Sequence, residues 1–299
     1  MQTWSDKEWT ILGCALSGAG ILGIVSVLVL APLAEDTQRL AASVLSGFET
    51  KEEVPAPLPP TIVGAAAFVQ DLKTGEVLFE KSGNLVLPLA SITKLATVYA
   101  AVTTLERDSM VTIESQDLDP EGDTGLRVGE AYRVDTLVIK ALVESSNDSA
   151  QALGRAVGGS EEIQRIVQEA GIQVVVRNPS GLDAVDGTGG EGSPASVARL
   201  FALLLKTAPW VFEPTTEAAV RAAGERIENT NEDVAIIPGL IASKTGYTTL
   251  AGGNLGIVFD ASLGHPIVAV TLGSTREDRF TDIRLLRDYA LALIDYGTR

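Results

Sequence analysis

Ser91 and Lys94, in Pro88-Leu-Ala-Ser-Ile-Thr-Lys94, stand three residues apart where a helix is expected to begin. Residues i and i+3 share a helix face, so the hydroxyl would lie beside the amine. A serine hydroxyl becomes a useful nucleophile when a neighbouring base takes its proton. Lysine can be that base if desolvation or a second cation lowers its pKa. The positive end of the helix would favour the negative charge that develops. A capping serine followed by a solvated lysine has the same spacing, so the reading depends on what else the chain carries.

Two further stretches supply it. Ser145-Ser146-Asn147 falls in a helix-rich middle region, and Lys244-Thr245-Gly246-Tyr247 falls at the end of an expected strand. Lys-Thr-Gly alone is weak, since the chain holds it twice, at 73–75 and at 244–246. The first copy sits in a tight turn ahead of Ser91. The second comes last in order and precedes Thr-Thr-Leu-Ala-Gly-Gly-Asn.

Composition removes other chemistries. The single histidine, His265, lies in Leu-Gly-His-Pro, a turn sequence, which argues against a Ser-His-Asp triad. The single cysteine, Cys14, is inside an apolar run, so no cysteine nucleophile, disulfide or Cys/His zinc site is expected. Acidic residues number 39 against 23 basic, for a net charge of −16, which makes nucleic acid an unsuitable partner.

The elements that would position these residues follow in order. Residues 1–10 read as a short cytoplasmic tail. No charge occurs from Trp9 to Ala34, and residues 11–34 are long enough to cross about 30 Å of hydrocarbon as a transmembrane helix. A cleaved signal peptide is the competing reading, but Pro32 directly after Val29-Leu-Ala31 would obstruct cleavage there. Residues 35–60 end in Val-Pro-Ala-Pro-Leu-Pro-Pro and read as an extended stalk. A domain over 61–299 follows. It should open with a hairpin, Gly64–Gln70 and Glu76–Glu80, turning at Asp71-Leu-Lys-Thr-Gly75. Val111–Asp117 reads as a short strand. Helical spacing dominates from Val134 to about Gly224, interrupted by a loop at Asn178–Pro194. Strands return at Gly239–Lys244, Gly252–Asp260 and Pro266–Leu272, and an amphipathic helix, Arg279–Tyr296, closes the chain. This order predicts an α+β fold: one mixed, largely antiparallel sheet with an inserted all-helical subdomain and a cleft between them.

S-x-x-K, S-x-N and K-T-G in that order are the signature of the penicillin-recognising serine enzymes. The chain resembles the serine-type D-alanyl-D-alanine carboxypeptidases, the low-molecular-mass penicillin-binding proteins, from about Thr61 to Tyr296. Asp71–Glu76, Pro88–Lys94, Gly122–Glu130, Asn147–Leu153 and Asn178-Pro-Ser-Gly-Leu-Asp183 carry the likeness. The resemblance implies a β-lactamase/transpeptidase-like sheet flanked by terminal helices, and no cofactor. It implies peptidoglycan stem peptides as substrates, β-lactams as inhibitors, and a membrane-held enzyme whose domain lies outside the cell.

The same resemblance assigns roles. Ser91 would attack the D-Ala-D-Ala carbonyl with Lys94 as base, and backbone N–H groups of Ser91 and Tyr247 would form the oxyanion hole. Ser145 would relay a proton to the leaving amine, held by Lys244, and Asn147 would bind the peptide. Thr245, Gly246 and Tyr247 would line the substrate strand, with Thr245 and Arg279 on the terminal carboxylate. An arginine at a helix start can instead pair with Asp278 or Asp282. Two alternatives stay open: a β-lactamase, against which stands the lack of Glu-x-x-Leu-Asn, and a silent peptidoglycan-binding protein. Relatives often carry a C-terminal domain and anchor, whose place the N-terminal span would take. The approach to Asn178, residues 168–177, is shorter than usual for the family.

Overall fold

The computed structural model describes residues 55–118, 125–185 and 187–297. The expected tail and span at 1–34, and the stalk up to residue 54, lie outside them. So does part of the Gly122–Glu130 stretch. The described residues from 56 onward form one compact unit.

Twelve strands and six α-helices occur among the described residues. In chain order they are β1 (Ala66–Asp71), β2 (Val77–Lys81), β3 (Leu87–Pro88), α1 (Lys94–Thr104), β4 (Met110–Thr112), β5 (Ala131–Arg133), α2 (Val134–Leu142), α3 (Asn147–Val157) and α4 (Ser160–Glu169). There follow β6 (Val174–Val176), β7 (Gly190–Gly192), α5 (Pro194–Thr207), β8 (Ala219–Ala222), β9 (Glu225–Glu228), β10 (Leu240–Thr248), β11 (Gly252–Asp260), β12 (Pro266–Ser274) and α6 (Asp278–Gly297).

The main sheet has the order β10-β11-β12-β1-β2, which joins the two ends of the domain as the strand pattern implied. Every neighbouring pair is antiparallel, so the sheet is not mixed in direction. Its middle strands, β11, β12 and β1, are buried along almost their whole length because both faces are covered. Along β12, Ile267 and Ala269 join the core shared with Phe280, Ile283 and Leu286 of α6. Val268, Val270 and Leu272 join the core shared with α1 and α5. This alternation is the period of two expected of a strand.

The flanking helices differ from the expectation. The C-terminal helix α6 covers one face, but among the described residues the other face is covered by the internal helix α5. Ser193 caps α5 by accepting from the Ser196 N–H at 3.2 Å, and Pro194 takes the first turn. Phe201 of α5 lies so close to the sheet that a Cβ on Gly256 would stand 2.5 Å from its ring.

The insertion packs α1, α2, α3 and α4 together, yet it is not all helical. It carries the pairs β4-β5 and β8-β9 and the sheet β3-β7-β6. Three-residue strands are too short to show a period of two against a helical background. Val111–Asp117 divides into β4 and a 3-10 turn, Ser115–Asp117.

The chain enters the domain under a fixed clamp. Asp282 of α6 is buried and accepts from the N–H groups of Val63 and Gly64, each at 2.8 Å, and from Ser274 Oγ at 2.7 Å. Lys81 donates to the carbonyls of Ile62 and Gly64 at 3.1 and 2.6 Å.

Candidate active site

Ser91 sits in a 3-10 turn, Ala90–Thr93, and the α-helix proper begins at Lys94. The spacing still brings the pair together: Lys94 Nζ is 2.8 Å from Ser91 Oγ. Ala90, just before Ser91, has a φ of 49°. The surroundings hold this left-handed residue in place. Asn254 Nδ2 donates to the carbonyls of Pro88 and Leu89, 3.0 Å each, and Leu89 N–H donates to Gly190 O at 2.9 Å. Gly181 approaches so closely that a Cβ there would stand 2.1 Å from Ala90 O. Asn254 thus anchors the turn that presents Ser91.

Lys94 is fully buried and its Nζ also meets Asn147 Oδ1 and the Ser180 carbonyl, both at 2.8 Å. In a neutral form the amine would keep two N–H donors for those acceptors and turn its lone pair to the Ser91 proton. No bond is lost in becoming a base. Ser180 belongs to the Asn178–Asp183 loop. Asn178 accepts from Gly181 N–H at 2.7 Å and Ser180 Oγ at 3.0 Å, and donates to Leu182 O at 2.8 Å. Thr97 of α1 donates to Pro179 O at 2.8 Å. The loop thus delivers a carbonyl to the lysine, a contact that side-chain identity could not reveal.

The opposite wall is a second serine-lysine pair. Lys244 Nζ donates to Ser145 Oγ and to Thr245 O, each at 2.9 Å. Burial above all, and then the charges of Lys94 and Arg279, hold the Lys244 pKa well below that of an ordinary lysine. Ser145 lies in the turn between α2 and α3, outside any helix, with a φ of 64°. Ser146 then caps α3 by accepting from Ser149 N–H at 3.0 Å, and Asn147 is its first residue. Strain of this kind persists where surrounding structure enforces it.

Lys244-Thr245-Gly246 lies inside β10, not at its end. Tyr247 is 47% exposed at the mouth, with the Arg276 guanidinium 5.3 Å from its ring centre. Arg279 is buried and donates through Nη1 to Gly246 O at 2.9 Å. It pairs with neither Asp278 nor Asp282 in the manner of an exposed helix-start arginine. Burial and the Arg276 charge push its pKa down.

Ser91, Ser145, Thr245, Gly246, Tyr247 and Arg279 line one cleft of about 380 Å³, together with Asn229, Thr230, Glu232 and Arg276. The other three residues given a role from sequence stand behind this lining: Lys94 bonds Ser91, Lys244 bonds Ser145, and Asn147 bonds Lys94. Thr230 has no role assigned from sequence. The other Lys-Thr-Gly turns the β1-β2 hairpin, where Asp71 Oδ1 accepts from Lys73 and Thr74 N–H groups. His265 binds Asp71 Oδ2 at 2.7 Å, at the β11-β12 turn. Burial alone would raise the Asp71 pKa, but His265 and the Thr74 and Lys73 amides outweigh it and lower it.

Two serine-lysine pairs that face each other across a cleft are an arrangement suited to acyl transfer. The family model of the D-alanyl-D-alanine carboxypeptidases, peptidase family S11, matches residues 52–276. This chain belongs to that family. It is 30% identical over 196 residues to the D-alanyl-D-alanine carboxypeptidase DacB2 of Mycobacterium tuberculosis, covering 61% of this chain and 66% of the relative. It is 27% identical over 245 residues to the carboxypeptidase DacF of Bacillus subtilis, covering 76% of this chain and 62% of the relative. The match thus spans about two thirds or less of those relatives. Among solved structures, penicillin-binding protein D2 of Listeria monocytogenes in its ampicillin-bound form superposes with a TM-score of 0.70 at 26% identity, covering 78% of this chain and 99% of that one.

Proposed function

We propose that this chain is a serine D-Ala-D-Ala carboxypeptidase that removes the terminal D-Ala from peptidoglycan stem peptides through an acyl-enzyme on Ser91. The observation that carries the reading is the pairing of Ser91 with Lys94 and of Ser145 with Lys244 at one cleft, in a member of this family.

Lys94 takes the Ser91 proton as Oγ attacks the carbonyl of the penultimate D-Ala. The tetrahedral oxyanion is received by the backbone N–H groups of Ser91 and Tyr247, where a preorganised donor is worth roughly 3–4 kcal/mol. Ser145 passes a proton to the departing D-Ala nitrogen, and Lys244 holds and replenishes it. Asn147 aligns Lys94 and bonds the peptide. Thr245 and Arg279 receive the terminal carboxylate, for which a planar guanidinium suits two parallel hydrogen bonds. Water then hydrolyses the ester. The Asn178–Asp183 loop presents a carbonyl to Lys94 and no glutamate, which speaks against a β-lactamase.

β-Lactams would acylate the same serine, a reading supported by the ampicillin-bound relative. We further propose that residues 11–34 hold the chain in the cell membrane as a single span, with 61–299 outside the cell. Carbonate washing should leave the chain in the membrane fraction; a soluble product beginning near Pro32 would indicate cleavage.

The test of activity is to incubate the full chain with a fluorescent penicillin and with a peptide ending in D-Ala-D-Ala. Release of one D-Ala per peptide and drug mass on the Ser91 fragment are expected. Labelling on another serine, or turnover that survives Ser91→Ala, overturns the assignment.

A further inference from the structure

Thr245 does not face the cleft alone. Its Oγ1 lies 2.6 Å from Thr230 Oγ1, on the loop that follows β9. Thr230 is bound a second way, to the carbonyl of Val143, through its own N–H at 3.0 Å and its Oγ1 at 3.2 Å. Val143 stands two residues before Ser145. The loop itself is pinned: Asn229 donates to the carbonyls of Thr215 and Glu217 at 2.9 and 3.0 Å, and its Oδ1 accepts from Asn231 N–H at 2.8 Å. Thr230 therefore holds a fixed hydroxyl against Thr245 at the cleft wall.

Each hydroxyl has one proton to give and two lone pairs to accept with. When Thr230 donates to Val143 O, Thr245 must be the donor between the two hydroxyls. A carboxylate can only accept, so it claims the Thr245 proton. Thr230 can then turn its own proton to Thr245, while Val143 O keeps the Thr230 N–H. Every acceptor stays served in both arrangements. Without this partner, Thr245 would rotate freely and donate to a carboxylate while accepting from nothing.

We propose that Thr230 is a positioning residue for the terminal carboxylate, setting the Thr245 hydroxyl to receive it by exchanging which of the two hydroxyls donates. The proposal rests on Thr245 receiving that carboxylate, as inferred above.

The test is a double-mutant cycle on the full chain, by steady-state kinetics with a peptide ending in D-Ala-D-Ala. Thr230→Ala should raise KM about five- to tenfold, the scale of one lost hydrogen bond, with kcat changed less than twofold. Thr230→Ser, which keeps the hydroxyl, should stay within about twofold of the wild type in KM. In a Thr245→Ala background, Thr230→Ala should add less than about twofold. A general weakening of the loop would instead act equally in both backgrounds and would leave serine no better than alanine; either result overturns the proposal. So does an active wild type whose KM ignores Thr230→Ala. A wild type that cleaves no such peptide, yet folds, overturns the carboxypeptidase reading and this inference with it.

Discussion

Gly246 of β10 passes so close to the turn that carries Ser91 that a Cβ on it would stand 2.8 Å from the Leu89 carbonyl oxygen and 3.2 Å from the Ile92 nitrogen. The glycine of Lys-Thr-Gly is thus a spacing element between β10 and Ser91. Gly246→Ala must push two backbone segments apart, because no flexible side-chain end is there to yield. Overpacking of this kind costs roughly 1–3 kcal/mol. Denaturant titration should show that loss, and the rate of penicillin acylation should fall by about tenfold or more, as expected when a reacting group is misplaced. Unchanged acylation would mean that the strand can withdraw without disturbing Ser91.

Lys94→Arg keeps the charge and removes the base, since guanidinium is not deprotonated in proteins. Acylation should drop by about 10²–10⁴, the usual span of general-base contributions. Circular dichroism must show a folded chain, because the larger head enters a fully buried site. A folded variant that acylates at the normal rate would make Lys244 the base.

Much of this site was legible because its chemistry lives in side chains at diagnostic spacing: Ser91 with Lys94, Ser145 with Asn147, and the tripeptide at Lys244. What stayed hidden was carried by backbone or by distant partners. The Ser180 carbonyl bonds Lys94 through a peptide group that every residue type possesses. Thr230 lies fifteen residues before Thr245, and nothing local marks the two as neighbours. The expected strand stops at Lys244, yet β10 runs on to Thr248 because Gly246, Tyr247 and Thr248 pair with Asn254, Gly253 and Gly252 of β11, a partner that local propensity does not reveal. The left-handed backbone at Ala90 and Ser145 had no glycine or asparagine to announce it. Those two strained positions flank the chemistry from opposite walls.

Lys244 predicts a pH dependence of stability with a definite sign. The folded pKa is depressed below the ordinary value of 10.5, first by burial and then by Lys94 and Arg279. Between the folded value and 10.5 the unfolded chain binds more protons, so stability rises with pH across that window. Below the folded value the penalty is complete; above 10.5 it is gone. Lys244→Met removes the titrating group. The stability of the wild type relative to this variant should climb as pH is raised towards 10, no more steeply than about 1.4 kcal/mol per pH unit for one proton. A difference that stays flat or falls would show that Lys244 is not depressed.

Ser145 separates strain from chemistry. Its φ of 64° suits glycine and costs other residues about 1–2 kcal/mol. Ser145→Ala and Ser145→Gly both delete the hydroxyl that accepts from Lys244, so both should lose turnover to a similar extent, about 10²-fold or more. They should differ in stability. Alanine keeps the strained backbone, while glycine relieves it, so the glycine variant should be the more stable by about 1 kcal/mol. At an ordinary helical position the order would be reversed, with glycine the weaker by a similar amount. Chemical denaturation of the two variants decides the matter: an alanine variant at least as stable as the glycine one would mean that the turn between α2 and α3 relaxes when the hydroxyl is removed, and that the bond to Lys244 is what bends it.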